Sequence, residues 1–520
     1  MPDFFVTDLS RLQFAFTALF HFLFVPITLG MTWILVAMEG AYLKTGKPVY
    51  KDMVRFWGKL LAINFAIGVI SGITMEFEFG LNWAYFSRMI GGSFGPVLAI
   101  EGITAFMLEA TMFGLFFFSW DKLSRRAHFM VTFFMAIGAS LSIVNILAAN
   151  SWMQHPVATN FDYRNMTLQL HSIASLYLAN MAQVRIGHVA SSAFLLSSIF
   201  VMGISAYYLL KKQDTAFALR SFAIAAGFGF IASIMVIFFG DQSGLQVSKY
   251  EPEKMAAIEA QWQTQKAPAA WDILAWPNQE EQKNDFTVKI PWALSLIATH
   301  SLTGTVEGAD SIIQKYEVRV QNGIKAYTAL HKIWDKTATP ADMVIYNKNV
   351  NDLGFAYLLK PFTNNVEQAT PADILAAAKS GIPNMLIAFW SFRIMIGCWC
   401  LMFLLLIFGL RYIWKNSLQN KSFYLRCCLY AIPLPFLAAE CGWILAEVGR
   451  QPWSIHDILP TFMGTSSLNA ASLITSLILF ALFYGVLIGI ELFLMFKYAR
   501  LGPSSLGTGK YHFENSTLSR

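Results

Sequence analysis

Apolar runs of about 20 residues recur along most of this chain, and they constrain its fold more than any other feature. A run of that length crosses a hydrocarbon core of ~30 Å as an α-helix. Of the 520 residues, 56% are hydrophobic and 13% are charged, against roughly 45–50% and about 25% in soluble proteins. The sequence therefore predicts an all-α polytopic membrane protein. The nine predicted spans are 14–38, 56–79, 95–119, 128–150, 186–210, 219–240, 386–410, 428–448 and 470–496.

A polar segment, 241–385, separates the sixth and seventh spans and is rich in Lys, Glu, Gln, Asn and Pro. Its composition predicts a large extramembrane domain. The chain thus divides into six spans within 1–240, the polar segment, and three spans with a tail within 386–520. The first run has neither a basic region before it nor a small-residue cleavage site after it, so we interpret it as a retained helix.

Basic residues in the short loops predict the orientation, because cytoplasmic loops are enriched in Lys and Arg. One alternate set of connections carries sixteen of them and the other set carries five. This asymmetry predicts that the N-terminus lies outside, the C-terminus in the cytoplasm and the polar segment outside. The basic residues form no single patch, so the net charge of +6 does not indicate a nucleic-acid partner.

Several ionisable side chains lie inside the predicted spans. Placing a charged side chain in the bilayer costs roughly 3 kcal/mol or more, so each of these residues is a candidate functional residue. At ~1.5 Å per residue, His21 and Glu101 lie roughly 10 Å below the outer surface. His188 and Glu447 are shallower, and Met395 is slightly deeper. Potential ligands from five helices therefore collect in the outer half of the membrane. The ionisable set is His21, Glu101, Glu109, His188, Arg393, Glu440 and Glu447.

Histidine and methionine are common axial ligands of haem iron. His188 with Met395 suits a six-coordinate electron-transfer haem, whereas His21 or a carboxylate alone leaves an open iron position for a gas. Pro26 removes a hydrogen bond to the Phe22 carbonyl and predicts a kink just after His21. The chain has no C-x-x-C-H motif, so any haem is held non-covalently.

Each of these side chains also has a structural interpretation. An intramembrane histidine can hydrogen-bond a neighbouring helix, and one methionine among 22 is often core packing. Glu101 and Glu109 are about 80° apart on an ideal helix and ~12 Å apart in depth. That spacing suits a proton relay, and it equally suits the lining of a transporter cavity.

Four stretches resemble subunit I of the cytochrome bd quinol oxidases, and the likeness extends over nearly the whole chain. It includes the nine-span layout, the long loop and the GRQPW motif at 449–453, just after Glu447. The resemblance implies a terminal oxidase of the bacterial cytoplasmic membrane. Such an enzyme oxidises quinol at the outer face and reduces oxygen to water at haem d, so that charge separation without pumping generates a proton motive force. The stretches are LQFAFTALFHFLFVPITLG, FWGKLLAINFAIGVISGITMEFEFG, GWILAEVGRQPW and MFKYARLGPSSLGTGKYHFE.

The resemblance also implies two haem b and one haem d, and it assigns residues to them. His188 and Met395 match the axial ligands of the low-spin haem b. His21, Glu101 and Glu447 match ligands or close neighbours of the high-spin haem b and haem d, and which residue serves which haem stays open. The haem neighbours that it implies are Arg393, Arg450 and Trp443.

For the substrates, the resemblance implies a long quinol-binding loop in which Lys254 and Glu259 contact quinol. Without it, charged residues in a solvated loop are expected at the surface. Water formation consumes protons from the inner side, and Glu109 and Ser142 match a proton path that leads by Glu101 to haem d. The partners implied are subunit II, a small single-span subunit, quinol, oxygen and the lipid bilayer, with no nucleic acid.

Two other functions stay open from the residues alone. One is an electron-transfer cytochrome b that takes electrons from quinol without reducing oxygen. The candidate ligands His21, Glu101 and Glu447 argue against it, because they could leave an iron position open for oxygen. The other is a secondary transporter that couples through Glu101 and Glu109 and binds no haem. The chain contains no P-loop, nucleophile elbow or dinucleotide fingerprint. Whether the quinol is ubiquinol or menaquinol stays open.

Overall fold

The computed structural model describes residues 4–503, which are predominantly helical. Within that range, nine helical segments are long and apolar enough to cross a membrane. Helices suit this environment because lipid cannot hydrogen-bond the backbone, so each segment must pair its own polar groups. The predicted all-α polytopic class and number of spans are confirmed. The tail beyond residue 503, which includes the end of the MFKYARLGPSSLGTGKYHFE motif, lies outside the described residues.

Residues 4–250 supply the first six spans and their connections. A small antiparallel hairpin of β1 (Thr159–Asp162) and β2 (Thr167–Leu170) lies between the fourth and fifth spans. The helices are α1 (Phe4–Phe22), α2 (Val25–Thr45), α3 (Pro48–Leu81), α4 (Ala84–Ile100), α5 (Met107–Phe118), α6 (Arg125–Gln154), α7 (Ile173–Leu178), α8 (Asn180–Lys211) and α9 (Thr215–Tyr250).

The first span is two helices, α1 and α2, with a break between Phe22 and Val25. Pro26 lies in the first turn of α2, where its missing N–H cannot bond the Phe22 carbonyl. The kink predicted just after His21 is therefore confirmed, and His21 lies in the last turn of α1.

The helices are longer than the apolar runs that predicted them. Helix α9 continues to Tyr250, past the predicted end of the sixth span at 240. Hydropathy identifies only the lipid-embedded part of a helix, whereas caps decide where the helix ends. Ser124 caps α6 by accepting from the Ala127 N–H, and Gly46, at φ 68°, ends α2.

Residues 251–384 lie between α9 and the long helix α16 (Met385–Trp414). Helices α13 and α15 each begin with a Thr-Pro pair and a reciprocal capping box. A buried apolar cluster of this segment continues into α16 through Met385 and Ala388, so the segment packs on the spans as part of one core. The elements are α10 (Pro252–Ile258), the paired strands β3 (Trp271–Asn278) and β4 (Lys283–Ile290), α11 (Ala293–Thr299), α12 (Ala309–Trp334), α13 (Pro340–Asn349), α14 (Leu353–Tyr357) and α15 (Pro371–Ser380).

The central helix of the bundle is α8, which comes from the first half of the chain. Helix α8 packs against α2, α6, α9 and α17, and 83% of its apolar window is buried, against 17% for α19. Residues on α8 therefore lie in the core of the bundle. The remaining elements are α16 (Met385–Trp414), α17 (Ser422–Tyr430), α18 (Leu434–Val448), the short strands β5 (Trp453–Ile455) and β6 (Leu459–Pro460), and α19 (Ala470–Leu501).

Candidate active site

His188 lies on the central helix α8 and faces α9. Its Nδ1 is 3.2 Å from the Val236 carbonyl oxygen. A carbonyl can only accept, so Nδ1 carries the hydrogen and Nε2 keeps its lone pair. Among residues 4–503, Nε2 has no hydrogen-bond partner. This is the arrangement of a metal-ligating histidine, whose second nitrogen is oriented by a backbone carbonyl.

Glycines on neighbouring helices make room for the candidate ligands. A Cβ on Gly240 would lie 3.2 Å from the His188 ring, and one on Gly442 would lie 3.3 Å from Met395 Sδ. A Cβ on Gly72 would lie 3.0 Å from His21 Cε1. Any larger side chain at these three glycines would crowd an imidazole or the thioether.

His188 and Met395 belong to one group of helices. Helix α8 contacts α9 and α18, and α16, which carries Met395, contacts the same two helices. Within the described residues, no three His, Cys, Asp or Glu side chains lie close enough to hold a bare metal ion. An iron held in a porphyrin needs only one or two axial side chains, so ligands spaced along separate helices fit a haem.

A chain of polar side chains, mostly buried, runs from the polar segment to Glu447, whose side chain is 34% exposed. Lys254 Nζ donates to Glu251 Oε1 at 2.7 Å and to Gln154 Oε1 at 2.5 Å. Gln154 Nε2 donates to Asn150 Oδ1 at 3.1 Å, and Asn150 Nδ2 donates to Glu447 Oε1 at 3.0 Å. The chain therefore joins α10 and the residue before it to α6 and α18.

Cations outnumber carboxylates along this buried chain. Arg185 lies 3.5 Å from Glu251, and Arg450 donates to Glu447. Burial alone would raise the pKa of Glu251, but the Lys254 ammonium and the Arg185 guanidinium lower it, so Glu251 is ionised. Three cations then face two carboxylates. An excess of buried positive charge is costly unless an anionic group compensates it.

Two orphan donors indicate where such an anion would bind. Among the described residues, Arg450 Nε and Arg393 Nη1 are buried without a hydrogen-bond partner. Guanidinium donors of this kind match carboxylates well. The propionate groups of a haem are carboxylates, so the donor set fits a haem.

Glu259 and Arg393 form a second buried ion pair. Arg393 Nη2 donates to Glu259 Oε2 at 2.7 Å, and Trp271 Nε1 donates to the same oxygen at 2.9 Å. The Arg393 guanidinium also packs on the Phe389 ring, 4.3 Å from its centroid. Both donors use Oε2, and within residues 4–503 no donor to Oε1 is present.

The expectation of a surface position for Lys254 and Glu259 is wrong. Each is only 2% exposed, because each finds its own buried partner, Glu251 for the lysine and Arg393 for the glutamate. The two residues do not contact each other, so they line different parts of the segment.

The acidic residues of the third span are only partly brought together. Ser142 Oγ donates to Glu101 Oε1 at 2.6 Å. Glu109 is buried farther along, where its backbone packs on Gly138 of α6, and its Oε1 has no partner among the described residues. The angle of 80° assumed a continuous α-helix and is wrong, because Glu101–Phe106 form a π-helical turn with more residues per turn.

Trp443 lies on α18 beside the break in the first span. Its ring meets the Phe22 ring edge-on, with centroids 5.0 Å apart. It also packs on an apolar cluster formed by α2, α6 and α8. The predicted haem neighbour is therefore next to the helix turn that carries His21.

Several residues of the site were missed in the sequence. No pattern in the sequence assigns a role to Gln154, Glu251 or the Glu253–His456 pair, and Arg185 is one of the five basic residues in the less basic set of loops. Their contacts join positions far apart in the chain, 100 residues for Lys254 with Gln154 and 203 for His456 with Glu253. No local spacing signals such pairs, although a run of four charged residues in a short stretch at 251–259 could have marked the stretch as unusual.

The Glu253–His456 pair makes the packing of the polar segment dependent on pH. The two side chains are buried, with His456 Nε2 2.8 Å from Glu253 Oε1. Burial alone would lower the pKa of His456, but Asp457 and Glu253 raise it to about 9. The pair therefore stabilises the fold fully below the ordinary histidine pKa of ~6.5, and this stability is lost as pH rises through about 9. Limited proteolysis of the segment should speed up across that upper range.

The matched variants for this prediction are His456→Gln and His300→Gln. His300 and Asp241 also form a pair, 2.9 Å apart, but their side chains are 45% and 44% exposed. We expect His456→Gln to be cleaved quickly at every pH and His300→Gln to follow the native profile. Equal pH profiles for the native protein and His456→Gln would show that the buried pair does not hold the segment.

Together, the bundle and its buried groups define a polytopic membrane protein with candidate haem ligands in its core. The family model for cytochrome bd terminal oxidase subunit I matches residues 9–503. Cytochrome bd-II ubiquinol oxidase subunit 1 of Escherichia coli (strain K12) is 42% identical over 501 residues, covering 96% of this chain and 98% of that protein. Cytochrome bd ubiquinol oxidase subunit 1 of Bacillus subtilis (strain 168) is 34% identical over 495 residues, covering 95% and 93%.

The fold is also similar to a solved structure, the bd oxidase from Geobacillus thermodenitrificans. The TM-score is 0.76 at 21% sequence identity, and the match covers 96% of this chain and 99% of that chain. This chain belongs to the cytochrome bd terminal oxidase subunit I family. The predicted terminal oxidase is confirmed, and family membership implies haem cofactors and a partner subunit.

Proposed function

We propose that this subunit oxidises quinol at the outer membrane face and reduces oxygen to water, using two haem b and one haem d. The observation that carries the proposal is the buried polar chain from Lys254 to Glu447. It joins the polar segment, where quinol would bind, to the helices that carry the candidate haem ligands. The two relatives described above are named ubiquinol oxidases, which supports ubiquinol as the substrate.

His188 and Met395 would hold the low-spin haem b. The unshared Nε2 of His188 and the glycine beside each side chain support this assignment. His21, Glu101 and Glu447 would serve the high-spin haem b and haem d. The orphan donors of Arg393 and Arg450 would bind propionates, and Trp443 would pack nearby. When bound, these haems supply electron transfer and an iron that binds oxygen.

Quinol oxidation needs a group that takes a proton from a hydroxyl. Glu259 suits this task because Arg393 and Trp271 hold its Oε2 and leave Oε1 for the substrate. Lys254 would contact a quinol oxygen, and its two buried acceptors fix the position of its ammonium group.

Oxygen reduction consumes protons, and we propose that they come from the cytoplasm through Glu109 to Ser142 and Glu101. The hydrogen bond of Ser142 to Glu101 supports the last step. The loop charges support an outer N-terminus and polar segment, and a cytoplasmic C-terminus, in the bacterial inner membrane. Protons released outside and consumed from inside then give a proton motive force without pumping. A small single-span subunit would join subunit II on the apolar outer surface.

Glu109→Gln tests the proposed path. An amide of the same shape cannot carry a proton, so oxygen consumption with excess quinol should fall by ~10²-fold, a typical loss for a proton-transfer group. The absorption bands of the low-spin haem should stay unchanged. The matched control is Glu440→Gln, because Glu440 also lies in a span and has an unpartnered oxygen among the described residues. Native turnover in Glu109→Gln would remove Glu109 from the path.

A further inference from the structure

A buried titratable pair lies at the end of the bundle opposite the polar segment. Glu39, near the end of α2, is 1% exposed, and His128, near the start of α6, is 2% exposed. His128 Nδ1 lies 2.6 Å from Glu39 Oε1. Thr132 Oγ1 donates to Glu39 Oε2 at 2.5 Å. Neither Glu39 nor His128 takes part in the function proposed above.

The partners of the imidazole show that this pair holds an extra proton. His128 Nε2 lies 3.1 Å from the Phe116 carbonyl oxygen, which can only accept, so Nε2 carries a hydrogen. Nδ1 faces the Glu39 carboxyl group at 2.6 Å, and that short contact also needs a hydrogen. The pair is therefore either a carboxylic acid with neutral imidazole or a carboxylate with imidazolium. In each form it carries one proton that it can release.

Two cations lie beside the pair, at a small cavity. Lys51 and Arg125 line a cavity of about 30 Å³ together with Glu39 and His128, which is room for a water molecule. The Trp120 ring stacks on the His128 ring with centroids 3.7 Å apart. Lys51 Nζ lies 5.6 Å from the Trp120 centroid. Loss of the proton leaves a net charge of −1 beside a cavity that Lys51 and Arg125 line.

The pair contacts both helices that carry the proposed proton path, because His128 belongs to α6 and meets the Phe116 carbonyl of α5. Phe116, the carbonyl partner of His128, is seven residues beyond Glu109 on α5, or ~10 Å along the helix. Helix α6 carries His128 at one end, Gly138 against Glu109 in its middle, and Ser142 beyond. The pair, Glu109 and Glu101 therefore follow one another from the loop end of α5 and α6 into the bundle.

We propose that the Glu39–His128 pair is the inner proton-loading site of this oxidase. It takes a proton from cytoplasmic water through the cavity beside Lys51 and gives one toward the Glu109 carboxylate, so its own charge alternates between 0 and −1. This inference rests on the proposed function, because it supplies the entrance of the path through Glu109.

The test compares proton uptake and turnover in the complete, haem-loaded enzyme. Glu39→Gln removes the acid, and His128→Asn keeps a hydrogen-bonding group beside Glu39 that cannot carry a proton. The matched control is Ser221→Ala, which removes a buried hydrogen bond from Trp57 at the same end of the bundle. After a pulse of oxygen to the reduced enzyme, a pH-indicator dye follows proton uptake while absorbance follows the haems.

We expect native haem content in all three variants. Proton uptake should be at least ~10-fold slower in Glu39→Gln and in His128→Asn, and it should be native in Ser221→Ala. The inference is overturned by native uptake rates in whichever of these two variants assembles. If proton uptake is slow in Glu109→Gln but native in Glu39→Gln and His128→Asn, the Glu39–His128 pair is structural and the proposed path stands. If Glu109→Gln is native as well, the proposed path is also wrong.

Discussion

Replacing His188 with alanine should remove the low-spin haem b and stop quinol-driven oxygen reduction. His188 presents an unshared Nε2 from the most buried helix, with Nδ1 held by the Val236 carbonyl. Changes to the partners of metal ligands already cost 10–100-fold in metal affinity, so loss of the ligand should lower turnover by more than ~100-fold. Haem extraction and quantification per mole of protein would show one b-type haem fewer than in the native enzyme.

The matched control is His155→Ala. His155 is half-buried just after α6 and stacks on the Tyr250 ring with centroids 4.0 Å apart, so its loss also removes a packed imidazole, at the end of the bundle that carries the polar segment. Its haem content should stay native. A His188→Ala enzyme with native haem content and b-type bands would show that His188 is a hydrogen-bonding core residue.

Replacing Arg393 with leucine should both destabilise the protein and stop quinol oxidation. The variant leaves the Glu259 carboxylate buried with only Trp271 as donor. Removing one partner of a buried ion pair costs about 3–5 kcal/mol, which thermal unfolding of the purified complex would show as a lower midpoint. Quinol-dependent oxygen consumption should be lost, because Arg393 no longer holds the Glu259 carboxylate in position.

A double variant separates the two effects. In Arg393→Leu with Glu259→Leu, no charge is left buried, so most of the lost stability should return, while quinol oxidation should stay absent. As a control, Glu281→Gln breaks an exposed pair with Lys283 on the same segment and should change neither property. Quinol oxidation at the native rate by the double variant would exclude Glu259 and Arg393 from the quinol site.

Much of the fold follows from the sequence because lipid imposes simple rules. A run of apolar residues predicts a span, and the confirmed number of spans within residues 4–503 shows how strong that constraint is. The break before Val25 also follows from the sequence, because Pro26 lacks the N–H that would bond the carbonyl four residues earlier. By contrast, the π-helical turn at Glu101–Phe106 has no pattern in the sequence that marks it.

The candidate site was harder to predict because its contacts are between distant parts of the chain. Composition suggests that the charged residues of 251–259 are solvated, yet Glu251, Lys254 and Glu259 are buried. Each is stabilised by a partner on a separate element, and which partner it meets depends on how the polar segment packs on the spans. The resemblance identified Lys254 and Glu259, but it could not show Gln154 or Asn150, whose side chains complete the chain to Glu447.

A reduced-minus-oxidised absorption spectrum of the purified subunit with its partner decides whether the side chains of this bundle hold b-type haems and a haem d. We expect b-type bands together with the red-shifted band of a chlorin. A spectrum with b-type bands alone would indicate an electron-transfer cytochrome b. A spectrum without haem bands would contradict the assignment of His188, Met395 and His21 as iron ligands.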